Sequence, residues 1–372
     1  MISNLILQNF RIFDGVNLEF DDSPSVIFCG GNGQGKTSLL ESIYFLGNLR
    51  SFRTQNIKEM RKMGKNFFRL EGKVEKHKGF HYTLETRGTD KVSPSSSSPV
   101  FTKELFIDHA PIYKASDFTG RLSIVAFLPE DPDILTGSSL VRRRFFDIFC
   151  ATIDREYMGM LQSYTQALRS RNFLLKKGRP DPAILASYDM ILAKNGSRIL
   201  EKRLHYTLLL EEKVREILKE IRQELSDFTI LYRHHKEGEN VESYRQKLQQ
   251  DLNKDLLKTY TTFGPHLDDF DISGNGKSLK LYGSRGQLRM TSFAMKMGIF
   301  SLIHGGEKES GNSSIIALVD DVLGDLDTNA KESFFNRVAG QSQVFYTFTE
   351  IPREKDLSGS RIFTVKDGNV SF

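Results

Sequence analysis

The sequence predicts an α/β protein in which a phosphate-binding lobe with a mixed β-sheet is interrupted by an inserted helical lobe carrying an antiparallel helix hairpin. Three observations predict it. The apolar strand Val26 to Cys29 runs into Gly30-Gly31-Asn32-Gly33-Gln34-Gly35-Lys36-Thr37-Ser38, and then into a helix with Leu39, Leu40, Ile43 and Leu46 at apolar positions. A second apolar run, Ser313 to Val319, ends in Asp320-Asp321 near the other end of the chain. Between the two, from about Gly137, the hydrophobic period changes from strand-like to helical.

Up to about Phe127 the expected strands are Leu5 to Leu7, Val16 to Phe20, Val26 to Cys29, Phe68 to Val74, Phe80 to Thr86 and Leu122 to Phe127. Gly88 to Pro99 is polar and Ser-rich and reads as a loop. Gly30 to Ser38 has the G-x-x-x-x-G-K-T spacing of a phosphate-binding loop in its expected strand-to-helix setting. Its glycines let successive backbone N–H groups curl around the phosphates of a nucleotide without Cβ clashes, Lys36 adds a point charge, and the Thr37 hydroxyl suits a Mg2+ shell.

The inserted part is expected to hold two long helices, Ser139 to Lys177 and Ala183 to Asp227, joined by Gly178-Arg179-Pro180-Asp181-Pro182 and packed as an antiparallel hairpin. In the second helix Leu210, Val214, Ile217, Leu218, Ile221 and Leu225 form one stripe. Phe228 to Arg233 then reads as a strand, Val241 to Leu257 as a helix, and Leu279 to Tyr282 as a strand. The expected division is a discontinuous phosphate-binding lobe, residues 1–135 with 305–372, and a helical lobe, residues 136–304.

Ser313 to Val319 is a short continuous apolar run, as for a central parallel strand, and its two terminal carboxylates suit a division of labour. Asp320 is expected to hold Mg2+ and Asp321 to orient or deprotonate the attacking water. Gly324-Asp325-Leu326-Asp327 follows at the spacing of the D-loop of ABC-type ATPases, which adds Asp327 to the expected nucleotide contacts. Upstream, Ser284-Arg285-Gly286-Gln287 precedes the apolar-rich segment Met290, Phe293, Ala294, Met297 and Phe300. Ser284, Gly286 and Gln287 at a helix N-terminus can form an anion cradle, or a simple helix cap. In the order phosphate-binding loop, Ser-x-Gly-Gln, paired Asp and D-loop it looks like an ABC signature. Such a cradle grips the γ-phosphate bound by a second subunit, so ATP joins two copies of the chain. The last strand, Val344 to Thr349, has no His to sense that phosphate; Thr349, or secondarily Thr347, takes its place.

Composition sets the outer bounds. With 372 residues and 39% hydrophobic content the chain can bury one large core or two smaller ones. A net charge of +5 favours an acidic partner without naming one. The two cysteines, Cys29 and Cys150, fit a reducing compartment with no disulfide framework. No run approaches the roughly 20 apolar residues of a membrane span, and a cytoplasmic protein is expected. His77 and His81 have no third ligand nearby in sequence, which gives a structural metal little support.

With these motifs in order, the sequence resembles the RecF family, small DNA-repair relatives of the SMC-type ABC ATPases. The resemblance spans essentially the whole chain. It rests on Asn9-Phe10-Arg11, Gly30 to Ser38, Arg50-Ser51-Phe52-Arg53-Thr54, Pro129-Glu130-Asp131 with Arg142-Arg143-Arg144-Phe145-Phe146-Asp147, Gly264-Pro265-His266-Leu267-Asp268-Asp269, Ser284 to Arg289 and Asp320 to Asp327. Leu267 stands where the family usually has Arg, and Leu288 where Gln is common. The resemblance implies an ABC-type ATPase lobe, Arg11 within reach of the phosphates, and weak, DNA-dependent hydrolysis. It also implies a homodimer formed on ATP, binding to double-stranded DNA near single-strand junctions, and cooperation with RecR and RecO in loading RecA. The competing readings are an ABC-type scaffold that uses ATP without hydrolysing it, a transporter ATPase subunit, and a metabolite kinase. The transporter lacks the RecF-type segments, and the kinase lacks the signature and D-loop.

Overall fold

The computed structural model describes residues 1–21, 23–75, 79–91, 100–178, 181–225, 227–310, 315–351 and 357–372. The chain opens with strands β1 (Ile2–Phe10), β2 (Phe13–Glu19) and β3 (Ser25–Cys29), followed by helix α1 (Lys36–Asn48). Strands β4 (Phe67–Glu75), β5 (His81–Lys91), β6 (Val100–Ile107) and β7 (Ala110–Ile112) come next, then the single turn α2 (Ala115–Phe118) and β8 (Ser123–Phe127). The middle of the chain holds α3 (Asp133–Thr136), α4 (Ser139–Ile153), α5 (Arg155–Lys176) and α6 (Pro182–Ile221). It continues with β9 (Phe228–Arg233), α7 (Val241–Gln250), α8 (Leu252–Lys258), β10 (Asp269–Gly274), β11 (Lys277–Ser278) and α9 (Leu279–Tyr282). The long helix α10 (Arg285–Ser310) precedes β12 (Ile315–Asp320), α11 (Thr328–Arg337), β13 (Gln343–Phe348), β14 (Arg361–Lys366) and β15 (Asn369–Ser371). Contact density divides the chain into two units, Met1–Asp131 with Ile299–Phe372, and Pro132–Gly298.

The first unit contains two six-stranded sheets. One is antiparallel, in the order β2-β1-β4-β5-β6-β7; the other, β15-β14-β3-β13-β12-β8, is parallel from β14 to β8 and mixed through its antiparallel edge strand β15. Helix α1 touches β4 and β5 of the first sheet and β8, β12 and β13 of the second. Eleven of its 13 residues are buried, as expected of a helix covered on all sides. Phenylalanines fill the space around it: Phe20 packs edge-on against Phe345, with ring centroids 5.0 Å apart, and against Phe363 at 5.8 Å. The buried Gln343 amide accepts from Ile2 N at 2.7 Å and donates to Ile2 O at 2.9 Å, so it fixes the start of β1 to the start of β13.

In the second unit α5 and α6 pack antiparallel, with Arg171 meeting Asp189 and Tyr157 meeting Arg203. The small sheet β11-β10-β9 packs on α4 and α6, where Phe270 stacks on Phe146 at 3.6 Å and on Tyr232 at 4.6 Å. Two fully buried arginines organise this unit. Arg171 donates to Asp189 at 2.7 Å, Asp255 at 2.6 Å and Thr261 at 2.9 Å. Arg203 donates to Asp147 at 2.8 Å, the Tyr157 hydroxyl at 3.0 Å, Pro265 O at 2.8 Å and Asp268 at 3.3 Å. His266 accepts at Nδ1 from Tyr164, 2.7 Å, and donates from Nε2 to Thr261 O, 3.0 Å. Burial pushes its pKa down to about 4, consistent with that neutral ring.

Several expected elements differ in the structure. The helix expected over 139–177 breaks at Asp154, whose backbone is extended and whose side chain accepts from Glu156 N, capping α5. The helix expected over 241–257 breaks at Asp251 into α7 and α8, and α6 stops at Ile221. Leu279–Tyr282 forms a helical turn, not a strand. Gly88 and its neighbours to Lys91 belong to β5, not to a loop: a Cβ on Gly88 would lie 2.4 Å from the Phe68 ring and 2.5 Å from that of Phe101. Residues 92–99, His77, Arg179 and Pro180, and the start of the expected strand at Ser313 lie outside the described residues. Among the described residues no helix is long and apolar enough to cross a membrane.

Replacing Arg203 by Met keeps most of the side-chain volume but leaves the buried Asp268 and the partly buried Asp147 without their cation. A loss of about 3–5 kcal/mol in unfolding free energy is expected, measured by urea titration; a loss below about 1 kcal/mol would show that the network does not hold the unit.

Candidate nucleotide-binding site

The phosphate-binding loop leaves the C-terminal end of β3, where Gly30 N donates to Phe348 O at 3.1 Å. Two of its glycines are required by packing inside the unit. A Cβ on Gly30 would sit 2.2 Å from the Val365 carbonyl oxygen, and one on Gly35, whose φ is +107°, would sit 2.6 Å from Ile12 Cδ1. Helix α1 begins at Lys36, and Ser38 N and Leu39 N are the N–H groups that turn back to Gly35 O. The N–H groups of Lys36 and Thr37 precede any intrahelical acceptor, so this end of the helix offers donors and positive dipole to an anion. Gln34 accepts from Asp367 N in the turn between β14 and β15, while Asn32 and Gly33 are exposed. Lys36 is 7% exposed and folds over the loop, its ammonium donating to Gly30 O at 2.6 Å and Gly31 O at 2.9 Å.

Sheet register brings the acidic residues to the same edge. In the parallel ladder Asp320 on β12 lies beside Thr347 on β13, and Thr347 beside Phe28 on β3, two residues before the loop. Asp320 Oδ1 accepts from the Thr347 hydroxyl at 2.7 Å and from the Thr37 hydroxyl at 3.0 Å. The carboxylate of Asp320 and the hydroxyl oxygen of Thr37 are adjacent hard-oxygen donors, the set that suits Mg2+ together with phosphate oxygens. Asp321 follows with a φ of +53°, a left-handed conformation that Asp tolerates better than most residues. Its carboxyl pKa is raised by burial; nearby Lys36 opposes the shift, and Asp320 and Asp325 add to it.

Sequence reasoning ranked Thr347 behind Thr349 and missed Glu41. Thr347 makes the contact with Asp320, whereas Thr349 lies exposed beyond the end of β13. Fully buried on α1, Glu41 accepts from Arg11 at 2.6 and 2.8 Å and from Ser51, and Arg53 lies 3.5 Å away. Arg53 also donates to Ser38 at 3.2 Å. The Asn9-Phe10-Arg11 and Arg50 to Thr54 segments thus converge on one carboxylate directly behind the loop. The available signal was a single acidic residue, Glu41, within an otherwise apolar helix face. Arg11, expected at the phosphates, spends its guanidinium on Glu41 and on Glu59 O. Asp327, expected at the nucleotide, caps α11 by accepting from Ala330 N at 2.9 Å.

In the second unit Ser284 and Gln287 form a reciprocal capping box at the start of α10: Gln287 N donates to Ser284 Oγ at 3.2 Å and Ser284 N to Gln287 Oε1 at 2.9 Å. A Cβ on Gly286 would meet little, the nearest atom being Arg222 Nη2 at 3.5 Å, so packing within the chain does not require glycine there.

The comparisons with known proteins agree on the relationship. A family model described as an AAA ATPase domain matches residues 1–93. The chain is 33% identical to the DNA replication and repair protein RecF of Oceanobacillus iheyensis, covering 100% of both chains. It is 31% identical to that of Bacillus cytotoxicus, covering 99% of this chain and 98% of the relative. The chain belongs to the RecF family. Among solved structures, the recombination mediator protein RecF–ATP in the RecFOR pathway superposes with a TM-score of 0.86 at 29% identity, over 100% of this chain and 96% of that one. An SMC head bound to the C-terminal winged-helix domain of ScpA, at TM-score 0.52 and 13% identity, shares the fold.

Two of the segments on which the sequence resemblance rests interlock. Arg142, buried, forms a two-pronged pair with Asp269 at 2.7 and 2.9 Å, and Arg143 donates to Asp268 O at 2.6 Å.

Glu41→Gln should strand the Arg11 guanidinium beside a neutral amide and lower unfolding free energy by about 2–4 kcal/mol, read from urea midpoints. No change would remove Glu41 as the anchor of the two arginine segments.

Proposed function

We propose that this RecF-family chain is an ATP-dependent DNA-binding protein of recombinational repair and replication restart. It dimerises on ATP, binds duplex DNA near single-strand gaps and is reset by slow hydrolysis. The observation that carries the reading is the convergence of the Thr37 and Thr347 hydroxyls on Asp320 at the mouth of the glycine loop. Full-length similarity to RecF proteins supports the DNA-repair setting.

On this reading the loop from Gly30 to Ser38 wraps the β- and γ-phosphates of ATP, and Lys36 exchanges its two carbonyl acceptors for phosphate oxygens. Thr37 and Asp320 would hold Mg2+, which supplies charge neutralisation at the phosphates. Asp321 orients the attacking water and takes its proton, a task that its raised pKa favours. Thr349, exposed beyond β13, contacts the γ-phosphate through a hydroxyl where other ABC ATPases use an imidazole, and the weaker bond makes turnover slow. Ser284, Gly286 and Gln287 of a second copy close on the γ-phosphate, with the open flank of Gly286 leaving room for that approach. Arg11 and Asp327 act from behind, through Glu41 and α11. The partner that reads the DNA-bound dimer is RecR, with RecO and RecA acting after it, in line with the RecFOR setting named for the solved relative. Its place of action is the cytoplasm.

A second reading, an ATP-dependent scaffold without hydrolysis, is favoured by the absence of His in the segment from Val344 to Thr349. Asp321→Asn separates the two. It should slow steady-state ATP turnover about 10²-fold or more while preserving ATP binding; no measurable turnover in the unaltered protein, with or without duplex DNA, would select the scaffold.

Ser284→Arg tests the dimer. It should leave ATP binding to the monomer nearly unchanged and abolish both ATP-dependent dimerisation and ATP-dependent DNA retention, followed by sedimentation at micromolar protein. A variant that still dimerised with ATP would reduce the Ser284 segment to a helix cap.

A further inference from the structure

One surface of the first unit is basic for a reason visible in its ion pairs. From Arg50 to Lys65 the chain carries six cations and a single carboxylate, Glu59. The carboxylates folded against this segment are Glu41, Asp90 and Asp14, and each is shared by two cations. Glu41 is bonded by Arg11 with Arg53 at 3.5 Å, Asp90 by Arg61 with Lys58 at 3.6 Å, and Asp14 by Lys62 at 2.6 Å with Lys65 at 3.7 Å. One carboxylate neutralises one cation, so the second member of each set is in surplus. The three second members, Arg53, Lys58 and Lys65, are also alike in exposure, at 46%, 44% and 45% of their side chains. Among the described residues, the six cations Arg11, Arg53, Lys58, Arg61, Lys62 and Lys65 thus share three carboxylates.

The backbone beneath them is built in. Arg11 N donates to Met60 O at 2.7 Å, and Lys62 N to Asn9 O at 2.8 Å, which ties the segment to the turn between β1 and β2. Arg61 is held by Asp90 and lies 5.9 Å over the Phe101 ring. The surplus cations therefore stand on an ordered frame rather than a solvated tail. Half-exposed cations that each share a carboxylate with a second cation retain charge for a polyanion, which is the chemistry of a nucleic-acid backbone.

We propose that Arg53, Lys58 and Lys65 form a phosphate-contacting surface for duplex DNA on the first unit. The inference rests on the DNA-binding reading above and names where the DNA lies. The contacts go to phosphates, so they add affinity and salt dependence without reading sequence.

The test uses the full chain with ATP and a gapped duplex, measuring affinity as a function of salt. Arg53 is left intact because it bonds Ser38 beside the loop. The double variant Lys58→Gln with Lys65→Gln should lose about two phosphate contacts, making the slope of log K against log salt shallower by about 1.8. ATP affinity and the urea midpoint should hold. Replacing the same two residues by Arg should restore the slope, which a general loss of folding would not allow. If the unaltered protein binds the duplex and the Gln variant keeps its slope, the surface assignment is overturned while the proposed function stands. If the unaltered protein shows no ATP-dependent duplex binding, both fall. An unchanged DNA slope with lost binding to polyglutamate would assign the surface to an acidic protein instead, and would also overturn the proposal.

Discussion

The candidate nucleotide site depends on the register of one parallel sheet. Strands β3, β13 and β12 lie side by side, and their pairing sets Phe28, Thr347 and Asp320 in a line across the strands. A shift of one residue would turn every side chain on the shifted strand to the opposite face. Asp320 would then lose both hydroxyl donors, and the loop leaving β3 would no longer open beside a carboxylate. Register is in turn enforced by burial. Every residue of β12 is buried, and four of the five in β3 are, so a slipped pairing would disturb packing on both faces. Where the strands of an α/β sheet end, loops and helix termini converge, which is why the phosphate loop and the acidic residues share an edge.

Behind that edge, charge is handled by enclosure. Glu41 sits on a helix wrapped by two sheets, where an unpaired carboxylate would be costly. Arg11 and Ser51 satisfy it, and Arg53 stands between it and Ser38 of the glycine loop. Segments that are distant in sequence from the loop are therefore mechanically joined to the helix that begins it. The helical unit uses the same device on a larger scale. Arg171 and Arg203, both fully buried, gather carboxylates and hydroxyls from α4, α5, α6, α8 and the segment before β10. Such networks add little net stability compared with apolar packing, but a wrong pairing leaves a buried charge exposed to no partner.

The surplus cations beside Glu41, Asp90 and Asp14 contrast with these closed networks. In the helical unit the buried carboxylates are gathered on Arg171 and Arg203, whereas Glu41, Asp90 and Asp14 each meet two cations and cannot neutralise both. The first arrangement specifies a fold; the second leaves charge available to something outside it.

Much of the site was legible in the sequence because its signals are local. The glycine loop is a contiguous run whose conformational demands are visible at Gly30 and Gly35, and the strand before it and the helix after it are periodic. Asp320-Asp321 announces itself as charge at the end of an apolar strand. The Ser284 segment carried the spacing of a capping box, and the box is present. The breaks at Asp154 and Asp251 were not legible, because Asp is tolerated within a helical pattern and becomes a boundary when neighbouring contacts favour the cap. Nor did the sequence, which put Thr349 ahead of Thr347, show which of the two reaches Asp320, since register with β12 decides it. The partners of Glu41 and Arg142 are remote in the chain, and pairing at such separations follows from how sheets and helices pack. The sequence by itself determined the α/β class, the phosphate loop, the order of motifs and the paired carboxylates, all properties of contiguous residues. Only the tertiary structure decided which hydroxyls meet Asp320, which arginines are consumed by buried carboxylates and which remain in surplus, because charge pairing between distant segments exists only once the chain has folded.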